Sequence, residues 1–163
     1  MAERDVRGHP GKIGVFVKPE LKRMTHDHVS QVMRIEQASF EPSWTDLSFH
    51  ILIDRDCECW ILQAGHRIAG YGVCQVEASL AHILNICVDP ELRGLGYGRK
   101  LLNHLLRQAG SGAEYAVLEV RRSNSKALNL YQSSGFRKQS IKPDYYPTDS
   151  GREDAIVLVK PLS

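Results

Sequence analysis

Long apolar runs are missing from this sequence. The N-terminus has none, so the chain reads as carrying neither a signal peptide nor a membrane span. Cysteine is scarce: Cys57, Cys59, Cys74 and Cys87, each inside an apolar, strand-like run. Cys57-Glu58-Cys59 has no second Cys/His pair at zinc spacing, so no metal is expected. Buried, reduced thiols are expected instead, the usual state in the cytoplasm. Neither sign of charge is in excess, with 21 basic and 19 acidic residues and a net charge of +2. With no RNA-binding aromatic motif either, direct contact with nucleic acid is not expected. Internal repeats and low-complexity tracts are also absent. What remains is 163 residues, 42% apolar and 25% charged. That is enough for one folded core and unlike a disordered chain.

Residues 1–14 are polar, with Gly and Pro, and read as a flexible tail before a single domain over 15–163. A first strand is expected at 15–18. Residues 25–40 have helical spacing at Val29, Val32, Met33 and Glu36, with Thr25 or Asp27 as the cap. Glu41-Pro42-Ser43-Trp44 breaks that helix, and Thr45 caps a second one. The period then changes to that of strands at 58–64 and 67–76, turning at Gly65-His66. A third strand at 81–88 is expected to be the most buried. Leu101, Leu102, Leu105 and Leu106 mark a helix that ends at Gly110-Ser111-Gly112. A strand at 115–120, a short helix at 125–134 with Gly135 as its left-handed C-cap, and strands at 136–141 and 155–159 complete the chain. The order implies an α/β fold: a mixed, mostly antiparallel sheet of about seven strands flanked by about four helices.

The stretch Val88 to Leu102 carries the clearest chemistry. A strand turns through Arg93-Gly94-Leu95-Gly96-Tyr97-Gly98 directly into a helix. Such a turn leaves backbone N–H groups unpaired at a positive helix end, where phosphate binds well. Glycine lets a diphosphate approach the backbone, and Arg93 and Arg99 can add charge-assisted contacts. A P-loop is excluded because Arg99-Lys100-Leu101 follows Gly98 where a Mg-binding hydroxyl is required. The G-x-G-x-x-G fingerprint fails at Arg99. What fits is R-x-x-G-x-G, formed by Arg93, Gly96 and Gly98.

In this pattern the sequence resembles the GNAT acetyltransferases, whose corresponding loop holds the pyrophosphate of acetyl-CoA. The resemblance extends from about Val15 to Leu162. Asn85-Ile86-Cys87-Val88-Asp89-Pro90 looks like the family strand before the loop. Leu118-Glu119-Val120-Arg121, Ser123-Asn124, Ala127-Leu128-Asn129-Leu130-Tyr131 and Gly135-Phe136 look like its second half. Phe40, Trp44-Thr45 and the tail Tyr145-Tyr146-Pro147-Thr148 with Gly151-Arg152-Glu153-Asp154-Ala155 are similar to the branch that acetylates the N-terminal alanine of ribosomal protein S18. Cys87, where a small alanine is common, and Arg122 depart from the pattern without touching its chemistry.

The resemblance implies direct acetyl transfer to an amine, with the S18 N-terminus as partner. It implies Glu119 as proton acceptor and Tyr131 as proton donor to the leaving thiolate. Partial burial at the end of an apolar strand is expected to raise the Glu119 pKa. The alternative for Glu119 is a strand-end pair with Arg121 or Arg122, and for Tyr131 a place in the core. Ile86, Cys87 and Val88 would offer backbone groups to pantetheine, with an N–H near Val88 for the oxyanion. Gly94, Gly96, Tyr97, Gly98, Arg93 and Arg99 would hold the diphosphate. Asn124 would hold the arm or cap its helix. Glu36, Trp44, Tyr145 and Tyr146 would wall the peptide site. His82 is a second candidate base. Cys87 lacks an adjacent His partner and is not expected to be a nucleophile. A monomer is expected. Other readings are the same chemistry on other protein N-termini, lysine side chains or a small amine, or a coenzyme A-binding regulatory module without turnover.

Overall fold

A computed structural model describes residues 18–162. The 1–14 tail and residues 15–17 of the expected first strand lie outside the described residues. Lys18 is not in a strand, and the first described strand, β1, is Glu20–Arg23. The expected first helix is a 3₁₀ turn, His26–His28, running into α1, Val29–Ser39. Thr25, one of the two expected caps, is the N-cap of this entry, and His28 Nδ1 accepts its backbone N–H at 2.9 Å; Asp27 lies inside the first turn. Helix α2, Asp46–Asp54, begins as the sequence indicates, with Thr45 Oγ1 accepting the Ser48 N–H.

The strands β2 (Glu58–Ala64), β3 (Arg67–Glu77) and β4 (Leu80–Val88) form an antiparallel meander. Helix α3, Tyr97–Ala109, precedes β5, Tyr115–Arg121, and α4, Ser125–Ser133. Gly135 follows α4 at φ 97°, as a left-handed C-cap requires. The chain ends in β6 (Arg137–Thr148) and β7 (Gly151–Pro161), both longer than expected. Among the described residues the spatial order is β1-β2-β3-β4-β5-β7-β6, one seven-stranded sheet in which only the β4–β5 pair is parallel.

Helices cover both faces of the sheet. Val29, Val32 and Ile35 of α1 and Phe49 of α2 pack on Ile61, Tyr71 and Val73. On the other face, Leu102 and Leu105 of α3 pack with Ile83, Leu118, Tyr131 and Leu158. Each such leucine, fully removed from water, contributes about 1.5–3 kcal/mol. The most buried strand is β3 rather than β4. The reason is topological: β3 lies between two long antiparallel partners, whereas β4 loses its second neighbour after its first three residues.

That loss positions the site. β4 and β5 pair only over Leu80–His82 with Tyr115–Val117. Immediately beyond, Leu84 is an extra residue in β4, because Val73 and Cys74 pair with Asn85 and Ile83. A bulge bends its strand, and here the two strands diverge into a V-shaped notch. Beyond His82 the β5-facing edge of β4 therefore has no strand partner among the described residues.

Candidate active site

The notch opens into a cavity of about 380 Å³. Ile83–Ile86 of β4 form one side and Leu118–Arg121 of β5 the other. Asn124 and Tyr131 of the α4 region, Trp44 of the α1–α2 loop and Tyr146 of β6 complete the wall.

Leu118 and Val120 point into the core beneath α3, so strand alternation turns Glu119 to the opposite face. There Glu119 Oε1 lies 2.6 Å from His82 Nε2, and Oε2 accepts from Lys142 Nζ at 3.2 Å. The Glu119 side chain is 11% exposed and that of His82 36%. Burial was expected to raise the Glu119 pKa; the structure reverses the sign. The His82 hydrogen bond outweighs desolvation and, aided by Lys142, holds this carboxyl below its ordinary 4.5. Nor does Glu119 pair with either neighbouring arginine: Arg121 binds Glu153 at 2.9 Å, and Arg122 faces Asp154. His82 and Glu119 are thus one unit rather than rival bases. Lys142 carries no sequence signal, because it reaches Glu119 from the far side of β7.

Tyr131 is 9% exposed, lines the cavity and meets Phe136 edge-on at 5.8 Å. Burial pushes its phenol up to about 12. The sequence places it only modestly above a thiol in pKa; the structure widens that gap. The same burial keeps the proton in place at any physiological pH. Cys87 is buried and its thiol pushed up, chiefly by desolvation, which suits packing and not nucleophilic attack.

At the glycine turn, Gly94 and Gly96 both adopt φ 82°, and a Cβ at either would meet nothing within 4 Å. Gly96 is the N-cap of α3 and supplies no side chain to its first N–H groups. Open space at bare helix-end donors suits a phosphate. Arg93 donates to the Val88 carbonyl at 3.2 Å and to Ser39 at 3.0 Å. Arg99 donates to Ser133 and Ser134. Both guanidiniums thus brace the loop with some donors and keep others. Tyr97 packs against Leu62, Ala69 and Leu101. Asn124 caps α4, its Oδ1 accepting the Ala127 N–H at 3.1 Å, and also lines the cavity.

The two tyrosines expected at the peptide wall separate. Between the pairs Lys142–Ala155 and Tyr146–Glu153, β6 holds two more residues than β7. Asp144 adopts φ 51° there, tied by its N–H to Asp154 and by its carbonyl to Arg152. This bulge puts Tyr146 at the cavity and leaves Tyr145, 43% exposed, outside it beside Lys142. Arg121 stacks on the Tyr146 ring at 4.6 Å. Trp44 and Glu36 both line the cavity. Glu36, however, is 1% exposed and hydrogen-bonded to Tyr71, Asn85 and the Trp44 N–H, so it is not an open ligand.

A strand notch, a glycine turn opening a helix beside it and a buried tyrosine in its wall are the features of a coenzyme A-dependent acyl-transfer fold. The chain belongs to the GNAT acetyltransferase family, whose model matches residues 29–136. It is 37% identical over 134 residues to the ribosomal protein bS18-alanine N-acetyltransferase of Salmonella typhimurium, covering 80% of this chain and 88% of that one. The crystal structure of the ribosomal-protein-S18-alanine N-acetyltransferase from Escherichia coli superposes with a TM-score of 0.82 at 33% identity, over 90% of this chain and 95% of that one. An uncharacterized protein of Mycobacterium leprae is 55% identical over 131 residues, which are 76% of this chain and 36% of that protein. As in its family, the acetyl donor is acetyl-CoA. Among the described residues no helix is long and apolar enough to cross a membrane.

Proposed function

We propose that the protein is an N-alpha-acetyltransferase that acetylates the N-terminal alanine of ribosomal protein S18. The observation that carries the reaction type is the pair of proton-handling groups on one notch, Glu119 with His82 on β5 and β4, and Tyr131 on α4. The acceptor is supported by the likeness to bS18-alanine N-acetyltransferases.

Acetyl-CoA, when bound, supplies the thioester carbon that the amine attacks. The unpartnered β4 edge, Ile86 to Val88, would line its arm, and the Gly94–Gly98 turn would hold its diphosphate. The Glu119–His82 pair accepts the amine proton, directly or through a water. A neutral α-amine is within reach, because its pKa of about 8 lies near working pH. A backbone N–H near Val88 stabilises the developing oxyanion. Tyr131, neutral throughout, gives its proton to the departing sulfur. His82 Nε2–H donates to Glu119 and holds the carboxylate in place to take that proton.

The test is thiol release from acetyl-CoA with a hexapeptide copying the S18 N-terminus. Turnover by wild type, reduced roughly 10²–10⁴-fold in Glu119→Gln and Tyr131→Phe, is the expected result. Coenzyme A binding without turnover on this peptide would remove the S18 acceptor, and a panel of other N-termini, lysine peptides and amines would then find the substrate.

A further inference from the structure

Among the described residues, Glu36 is the charged side chain buried in the core. Its carboxylate joins three separate elements. Oε1 accepts the Tyr71 hydroxyl from β3 and the Asn85 amide from β4, the latter at 2.9 Å. Oε2 accepts the backbone N–H of Trp44, in the α1–α2 loop, at 2.8 Å. Aromatic contacts close the same circuit: Trp44 packs on Phe49 at 5.2 Å, and Phe49 meets Tyr71 edge-on at 5.5 Å. Phe49 and Tyr71 are fully buried. A carboxylate offers about four lone-pair sites; three are filled, and the group is closed to solvent. Glu36 therefore cannot reach an incoming ammonium without breaking the lattice that holds it.

Its placement matters because its partners sit on opposite sides of the reaction. Asn85 is the residue after the β4 bulge, at the start of the cofactor-facing edge. Trp44 lines, with Tyr146, a cavity of about 380 Å³. That volume, near the small end for ligand pockets, must take both the thioester end and the acceptor amine. Little room is left for the acceptor's first side chain, and Trp44 bounds it.

We propose that Glu36 is a positioning residue that fixes the Trp44 wall to the cofactor strand and so selects acceptors with a small first side chain. The selectivity half of this proposal rests on the reading of the cavity as the site of a protein N-terminus.

The experiment compares Glu36→Ala, Glu36→Gln and Tyr71→Phe. Each is assayed with alanine-start and leucine-start peptides, and each is measured for Trp44 emission in a Trp60→Phe background, where Trp44 is the sole tryptophan. Glu36→Ala is expected to lower kcat/KM for the alanine peptide about tenfold or more, mainly through peptide KM. It should narrow the alanine-to-leucine ratio and red-shift Trp44. Glu36→Gln should recover most of each loss: its amide oxygen can accept the Trp44 N–H, and its NH₂ can donate to Tyr71 and to a rotated Asn85 amide. Tyr71→Phe keeps the aromatic contact and should move every readout the same way by a smaller factor. It decides the matter if Glu36→Ala does not fold. Glutamine as damaging as alanine in a folded protein would overturn the proposal, since charge and not hydrogen-bond geometry would then be at work. So would unchanged selectivity and emission in Glu36→Ala. A red-shift with no acetylation of any N-terminal peptide by wild type would overturn the acceptor reading and support the positioning role.

Discussion

The ionisation of Tyr131 makes the sharpest test of the proton-donor assignment. An exposed phenol titrates near 10; burial pushes this one up to about 12. At pH 10 an ordinary tyrosine is half ionised and has lost half of its donor population, whereas a group with a pKa of 12 is only about 1% ionised. Glu119, held below 4.5 by His82, desolvation notwithstanding, stays ionised above pH 5 and adds no limb there. The peptide α-amine, with a pKa of about 8, must lose a proton to react. The profile of kcat/KM should therefore rise with unit slope to about pH 8 and stay flat to at least pH 10. The assay is thiol release over pH 6–10.5 with two peptides whose amine pKa values differ by about one unit; the rising limb should move with the amine. Tyr131→Phe should lie roughly 10²–10⁴-fold lower. A falling limb centred at pH 9–10 in wild type, absent from Tyr131→Phe, would refute the buried donor. It would mean that the Tyr131 hydroxyl is solvated and titrates like an exposed phenol.

Two further outcomes follow from the geometry. Because the Glu119 carboxyl is depressed in the fold, its stabilising contribution is present above the ordinary 4.5 and lost as pH falls through the lower folded value. Wild type should thus lose more Tm than Glu119→Gln between pH 5 and 3, and parallel losses would show that the His82 and Lys142 contacts carry no net stability. Gly96→Ala should cost about 1 kcal/mol through its left-handed φ, roughly 2–4 °C in Tm. Among the described residues, no atom beyond its chain neighbours lies within 4 Å of the new methyl, so the fold should survive while coenzyme A affinity, measured by calorimetry, falls about tenfold or more. Unchanged affinity would place the diphosphate elsewhere.

The order of strands and helices was legible because each element carries its own period and punctuation. Thr45 caps α2, Gly65 turns β2 into β3, and Gly135 ends α4, all through local backbone chemistry. The glycine turn at the start of α3 was legible for the same reason, since R-x-x-G-x-G acts within one loop. Strand ends were harder. β6 looked finished at Ile141 because the bulge around Asp144 interrupts alternation without ending the pairing. Asn85 did leave a trace, a polar residue in the apolar run Ile83 to Val88, but nothing local says that its partner lies on α1.

By itself, then, the sequence determined the α/β layout, the glycine turn that opens α3 and the residue types that can move protons. Only the tertiary structure decided what those residues are. Glu119 is a depressed carboxylate because β4 and β6 bring His82 and Lys142 to it from 37 and 23 residues away. Tyr146 faces the cavity and Tyr145 does not because of a register shift against β7. Glu36 is a buried anchor because three elements converge on it. Ionisation and exposure depend on the neighbours that packing supplies, and those neighbours are far away along the chain.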